Sequence, residues 1–109
     1  MAPLEIIAEE RDGQTRLVLV GELDIASAPQ FEQGVSSAES ETPGVLVLDL
    51  RKLEFIDSTG LRAVIAADER ARSAGRRLVI IRGTPAVERV LNVTQLDQRL
   101  EILDDPDSL

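Results

Sequence analysis

Apolar positions along the chain alternate between a period of two and a period of three to four, and the changes of period mark out the elements. Residues 4–9 and the run Leu17-Val18-Leu19-Val20 flank Asp12-Gly13, a strand, turn, strand pattern that predicts an opening antiparallel hairpin. Gly21-Glu22-Leu23-Asp24 closes the second strand. Ser27-Ala28-Pro29-Gln30 then has the composition of a helix start, with Ser27 as the expected cap, and the helix should run to about Ser40. After a polar turn, Val45-Leu46-Val47-Leu48-Asp49-Leu50 is almost continuously apolar, as in a strand buried on both faces. Leu61, Val64, Ile65 and the alanines at 63, 66, 67, 71 and 74 restore helical spacing, which predicts a helix from about Ser58 to Ala74, stopped by Gly75.

The second half repeats the scheme. Leu78-Val79-Ile80-Ile81 reads as a further buried strand, and Thr84-Pro85 opens a short helix through Val87, Val90 and Leu91. Residues 100–103 form a candidate last strand. The acidic stretch 104–107 has little to bury and is expected to fray. This order predicts a single α/β domain over residues 1–109, with a mixed central sheet of four to five strands covered by helices. Phe31 and Phe55, the only aromatics, are expected in the core.

Composition narrows the function. With no Cys and no His, disulfides, thiolate chemistry and the commonest general base and metal ligand are absent. Twelve basic against twenty acidic residues, net −8, leave neither an electrostatic footprint nor stacking platforms for nucleic acid. No apolar run reaches membrane-spanning length and the N-terminus does not read as a signal peptide, so a cytoplasmic protein without membrane insertion is expected.

The most informative segment is Phe55-Ile56-Asp57-Ser58-Thr59-Gly60-Leu61, where a hydroxyl pair between Asp and Gly falls at the junction of strand and helix. The free N–H groups and positive dipole end of a helix start favour a phosphate, so Ser58 is a candidate phosphorylation site, while Asp57 is suited to cap the same helix. Thr59 is a second candidate acceptor, although a β-branched residue in a first turn also serves local capping. Gly60 answers either to a close approach of a partner or to nothing beyond tolerance in the first turn. Asp24 can be turn chemistry after a strand. Arg62, four residues after Ser58 and on the same helix face, either pairs with a phosphate there or is a solvated surface arginine. Arg70, Arg72, Arg76 and Arg77 gather where the helix ends, which suits the negative end of its dipole.

Three blocks carry a resemblance: Gly21-Glu22-Leu23-Asp24, Val47 to Leu50 continuing through Phe55 to Leu61, and Thr84-Pro85-Ala86-Val87-Glu88-Arg89-Val90-Leu91. In this order and spacing the chain resembles the STAS domain family, and most of all its stand-alone bacterial anti-sigma factor antagonists. The resemblance implies partner switching. An unphosphorylated member binds an anti-sigma factor that is itself a serine kinase, and so releases the sigma factor; phosphorylation at the position of Ser58 ends that binding, and a serine phosphatase restores it. It also implies that Asp24 lies near the partner surface and Asp57 beside the acceptor. ATP belongs to the kinase, so no cofactor is assigned to this chain. Arg62 departs from the small residue expected at its position.

Other classes remain as alternatives. The same fold serves as a constitutive scaffold or a transporter-associated subunit with no reversible phosphate. A phospho-aspartate receiver using Asp49 lacks the early acidic pair for Mg²⁺ and a late lysine, since the only Lys is Lys52. An enzyme built on Asp24 and Asp57 lacks an activating base.

Overall fold

A computed structural model describes residues 3–109. The elements are β1 (Glu5–Arg11), β2 (Gln14–Leu23), α1 (Ala28–Ser40), β3 (Val45–Ile56), α2 (Ser58–Ser73), β4 (Arg77–Ile81), α3 (Pro85–Val93) and β5 (Glu101–Leu103). Short 3₁₀ turns at Leu96–Gln98 and Pro106–Ser108 flank β5. The five strands lie in the sheet in sequence order. β1 runs antiparallel to β2, as a tight two-residue turn requires, and every later neighbour is parallel, because each return is made by a helical crossover.

Strand order without reversal has a consequence for the layers. Right-handed crossovers that all step in the same direction deposit their helices on one side of a sheet. The buried side chains of the three helices accordingly share one core with alternate strand residues: Phe31, Val35, Val64, Ala67 and Leu91 meet Leu17, Leu19, Leu46, Leu48 and Ile80. The opposite face carries a much smaller cluster of Val47, Val79 and Ile81, against which Val45, Leu103 and Leu109 pack. The mixed five-stranded sheet and its covering helices agree with the expected architecture, and β3 is buried on both faces from Leu46 to Leu50.

Four details differ from the sequence reading. β3 continues to Ile56 rather than ending at Leu50, because β2 extends to Leu23 and supplies a parallel partner that far. The register of β3 against β2 shifts between Leu53 and Phe55, and Phe55 is 47% exposed, whereas Leu53 and Phe31 are fully buried. Ser27 precedes α1 but makes no side-chain cap; its hydroxyl turns back to the Glu22 carbonyl at 2.8 Å. The acidic tail is folded: Pro106 is buried, Asp105 accepts from the Asp107 amide at 2.9 Å, and Leu109 lies on the small helix-free cluster. The cause is the sheet itself, whose uncovered apolar strip offers the tail something to bury.

The arginines at the end of α2 are structural. Arg70 pairs with Glu39 at 3.1 Å, Arg72 with Asp68 at 2.9 Å, and Arg77 with Glu101. The first joins α2 to α1 and the third joins β4 to β5, while Arg72 and Asp68 pair one turn apart within α2.

Asp49 sits in the helix-free face, almost fully buried, with its Oδ2 2.7 Å from the Arg51 guanidinium and its Oδ1 accepting the Arg51 amide at 3.1 Å. The carboxylate is thereby engaged within its own strand. Burial pushes its pKa up, but the Arg51 hydrogen bonds outweigh burial and hold it below the ordinary aspartate value. A depressed native pKa stabilises the fold fully above the ordinary aspartate range, and that contribution disappears as pH falls through the depressed value. In Arg51→Leu burial is opposed only by the backbone amide of residue 51 and the more distant charge of Arg16. Urea titrations from pH 7 to pH 3 should show a loss of about 2 kcal/mol at neutral pH, discounted from a fully buried pair because Arg51 is half exposed, and an acid limb that begins at higher pH.

Candidate functional site

The parallel strands β2 and β3 end side by side, with Leu23 opposite Ile56, and two loops leave from that edge: residues 24–27 into α1, and Asp57 into α2. Asp57 ties them together. Its backbone is extended, and Oδ1 accepts the Gly60 amide at 2.8 Å, which caps α2 as its position before a helical run predicts. Oδ2 accepts the Ile25 amide of the other loop at 3.0 Å, and the Asp57 amide donates to the Leu23 carbonyl at 3.2 Å. One residue therefore fixes the start of α2, the end of β2 and the approach to α1.

Asp24 does the same within its own loop. It is buried, and Oδ1 accepts the amides of Ala26 and Ser27, both at 3.0 Å, while its amide donates to the Ser27 hydroxyl at 2.9 Å. This is turn chemistry: the carboxylate organises the loop from inside and its oxygen is spent on backbone donors. Asp24 and Asp57 thus brace one surface from two sides, each engaged with the backbone.

Gly60 is buried against the end of β2. A Cβ there would stand 2.7 Å from the Leu23 carbonyl oxygen and 2.9 Å from the Leu23 side chain, so the glycine is demanded by close approach within the chain. That approach lets α2 start hard against the sheet edge.

Ser58 is the first helical residue of α2 and is exposed, Thr59 beside it is half-buried, and Arg62 is exposed one turn on. With the Gly60 amide taken by Asp57 and the Leu61 amide by the Asp57 carbonyl at 2.9 Å, the Ser58 and Thr59 amides have no acceptor among the described residues. The terminus keeps donors and a positive dipole end for an anion. Arg62 makes no ion pair among the described residues.

Two apolar side chains that the sequence reading did not place here flank the serine: Ile25, 73% exposed, and Phe55, 47% exposed. Ile25 stands on the loop that Asp57 holds, and Phe55 stands two residues before it. Alternation offered no signal for this, since Phe55 shares its parity with both the exposed Arg51 and the buried Leu53, and the pairing of β3 with β2 shifts register between Leu53 and Phe55. Two exposed apolar residues therefore lie on the segments that meet at this helix N-terminus.

The family described as Mlab, STAS domain matches residues 7–104. The chain is 25% identical over 99 residues to the anti-sigma-F factor antagonist RsfB of Mycobacterium tuberculosis, covering 91% of this chain and 80% of that protein. It is 27% identical over 100 residues to the anti-sigma-B factor antagonist of Listeria monocytogenes, covering 91% and 88%. A crystal structure of an anti-sigma factor antagonist from Mycobacterium paratuberculosis superposes with a TM-score of 0.83 at 29% identity, over 96% of this chain and 89% of that one.

The bracing role of Asp57 predicts that Asp57→Ala costs about 1 kcal/mol of stability, the usual worth of a lost N-cap, and speeds hydrogen exchange at the Ile25 and Gly60 amides, measured by NMR. Gly60→Ala should cost more, about 1–3 kcal/mol in urea unfolding, because the Leu23 carbonyl is backbone and cannot rotate away.

Proposed function

The chain belongs to the STAS domain family, and on that premise we propose that it is an anti-sigma factor antagonist working by partner switching. In this reading the unphosphorylated chain binds an anti-sigma factor that is also a serine kinase, the sigma factor is released, and phosphorylation of Ser58 ends the complex until a serine phosphatase restores it. The chain is the kinase's substrate and carries no catalysis of its own. Among the described residues, no helix is long and apolar enough to cross a membrane.

The observation that carries this reading is the exposed Ser58 at the first position of α2, with the exposed Ile25 and Phe55 on the two chain segments that meet at Asp57. Apolar side chains around a compact centre are what a protein partner buries, and a hydroxyl at that centre is where a charge does most damage to the contact. Ser58, Thr59 and Arg62 form the contact surface together with Ile25 and Phe55. Asp24, Asp57 and Gly60 contribute by holding the two loops in place.

The energetics suffice without a large change of shape. A phosphate on Ser58 adds close to two negative charges to a chain of net charge −8. Two unit charges about 5 Å apart, at an effective dielectric near 20, repel by roughly 3 kcal/mol, or about 100-fold in affinity. The free amides at the start of α2 meanwhile favour the phosphate, so the modified monomer stays folded. The switch is a change of surface.

Incubation with candidate anti-sigma kinases and ATP, followed by site mapping by mass spectrometry, should give one phosphate on Ser58. In calorimetry, Ser58→Ala should bind the kinase like the wild type and Ser58→Asp about 100-fold more weakly, with Phe55→Ala and Ile25→Ala each weakening the unphosphorylated complex by tenfold or more. Binding indifferent to both Ser58 substitutions, with no phosphate accepted, would favour the constitutive scaffold.

A further inference from the structure

A cavity lies at the other end of the domain from Ser58. β1 is an edge strand added beyond the parallel array, and none of the three crossovers returns over it. Its helix-side residues Ile6, Ala8 and Glu10 pair with Leu19, Leu17 and Thr15 of β2, and α1 covers β2 but only flanks β1. The gap is a groove of about 520 Å³, within the usual range for small-molecule sites.

Its floor is apolar, formed by Ile6, Ala8, Leu17 and Ala38. Gln30 reaches from α1 to the Leu4 carbonyl at 3.0 Å and closes it at one end. Thr15 is 95% buried in the lining, yet its hydroxyl makes no hydrogen bond among the described residues. At the mouth stand Glu10 and Glu41, neither of which forms an ion pair among the described residues, although most of the chain's arginines are engaged elsewhere. Two unpaired carboxylates over an apolar trough favour a positive head and an apolar body, because each carboxylate attracts a cation that no side chain supplies.

We propose that the groove between β1 and α1 binds a small amphiphilic cation, its apolar part on Ile6, Ala8 and Leu17, its charged head between Glu10 and Glu41, and any hydrogen-bonding group on the Thr15 hydroxyl. The site is separate from the Ser58 surface. Thr15 and Leu23 lie at opposite ends of β2, eight residues or about 26 Å apart, so the proposal stands apart from the partner-switching reading.

Gly34 makes the test specific. It lines the groove from α1, and a Cβ there would meet only the tip of the Ile6 side chain, at 3.1 Å, so Gly34→Leu fills the groove while the flexible Ile6 end gives way. Octyltrimethylammonium and octyl sulfate, both below their micellar concentrations, would be titrated into ¹⁵N-labelled protein. Saturable shifts at Thr15, Gly34 and Glu10 with the cation, at least tenfold weaker binding of the sulfate, loss of binding in Gly34→Leu, and a tenfold or greater loss of cation affinity in Glu10→Gln/Glu41→Gln are expected. Thr15→Val, which leaves the groove open, reports on the same lining should Gly34→Leu fail to fold, through a weaker response to a hydroxyl-bearing cation such as N-(2-hydroxyethyl)octylammonium. No saturable binding, equal binding of the two surfactants, shifts mapping elsewhere, or undiminished binding in Gly34→Leu would overturn the proposal.

Discussion

Asp57 holds three pieces of backbone at once, and the surface around Ser58 follows from that. Its carboxylate accepts the Gly60 amide on one oxygen and the Ile25 amide on the other, and its own amide bonds to Leu23. Each contact alone is an ordinary cap or loop hydrogen bond. Together they lock a strand end, a loop and a helix start into one unit, so that a serine one residue further on is presented from a rigid support. Gly60 is part of the same constraint, since only a residue without Cβ lets α2 begin so close to the Leu23 carbonyl. A surface whose charge is to change without unfolding needs such support from behind.

The order of the strands accounts for much of the remainder. Because successive crossovers step the same way along the sheet, the helices occupy one face and leave two regions uncovered. On the reverse face, a narrow apolar strip of Val47, Val79 and Ile81 is met by Leu109, and Asp49 is buried there only with the help of Arg51. On the helix side, β1 lies outside the first crossover, and the groove beside α1 results. The tail, the buried ion pair and the groove thus share one topological origin.

The elements were legible because burial imposes periodicity: Leu17 and Leu19 on one face of β2, Leu46 to Leu50 through the middle of the sheet, Leu61, Val64, Ala67 and Ala71 along α2. Asp57 was legible as a cap for the same local reason. Ser27 was misread, because its capping signature is genuine in composition but Asp24 and the Glu22 carbonyl compete for its hydroxyl. Phe55 was misread because aromatic residues are usually buried, and the register shift that separates it from the buried Leu53 depends on how β3 pairs with β2.

The sequence by itself determined the order of strands and helices, the absence of thiol and imidazole chemistry, and a serine at the start of a helix, since periodicity, composition and capping are properties of neighbours along the chain. Only the tertiary structure decided that Asp24 and Asp57 spend their oxygens on one pair of loops, that Ile25 and Phe55 rise beside Ser58, that Gly60 is held against Leu23, and that the acidic tail has a face to lie on. Those are contacts between residues far apart in the chain. Strand register and crossover direction set them, and neither leaves a local mark in the sequence.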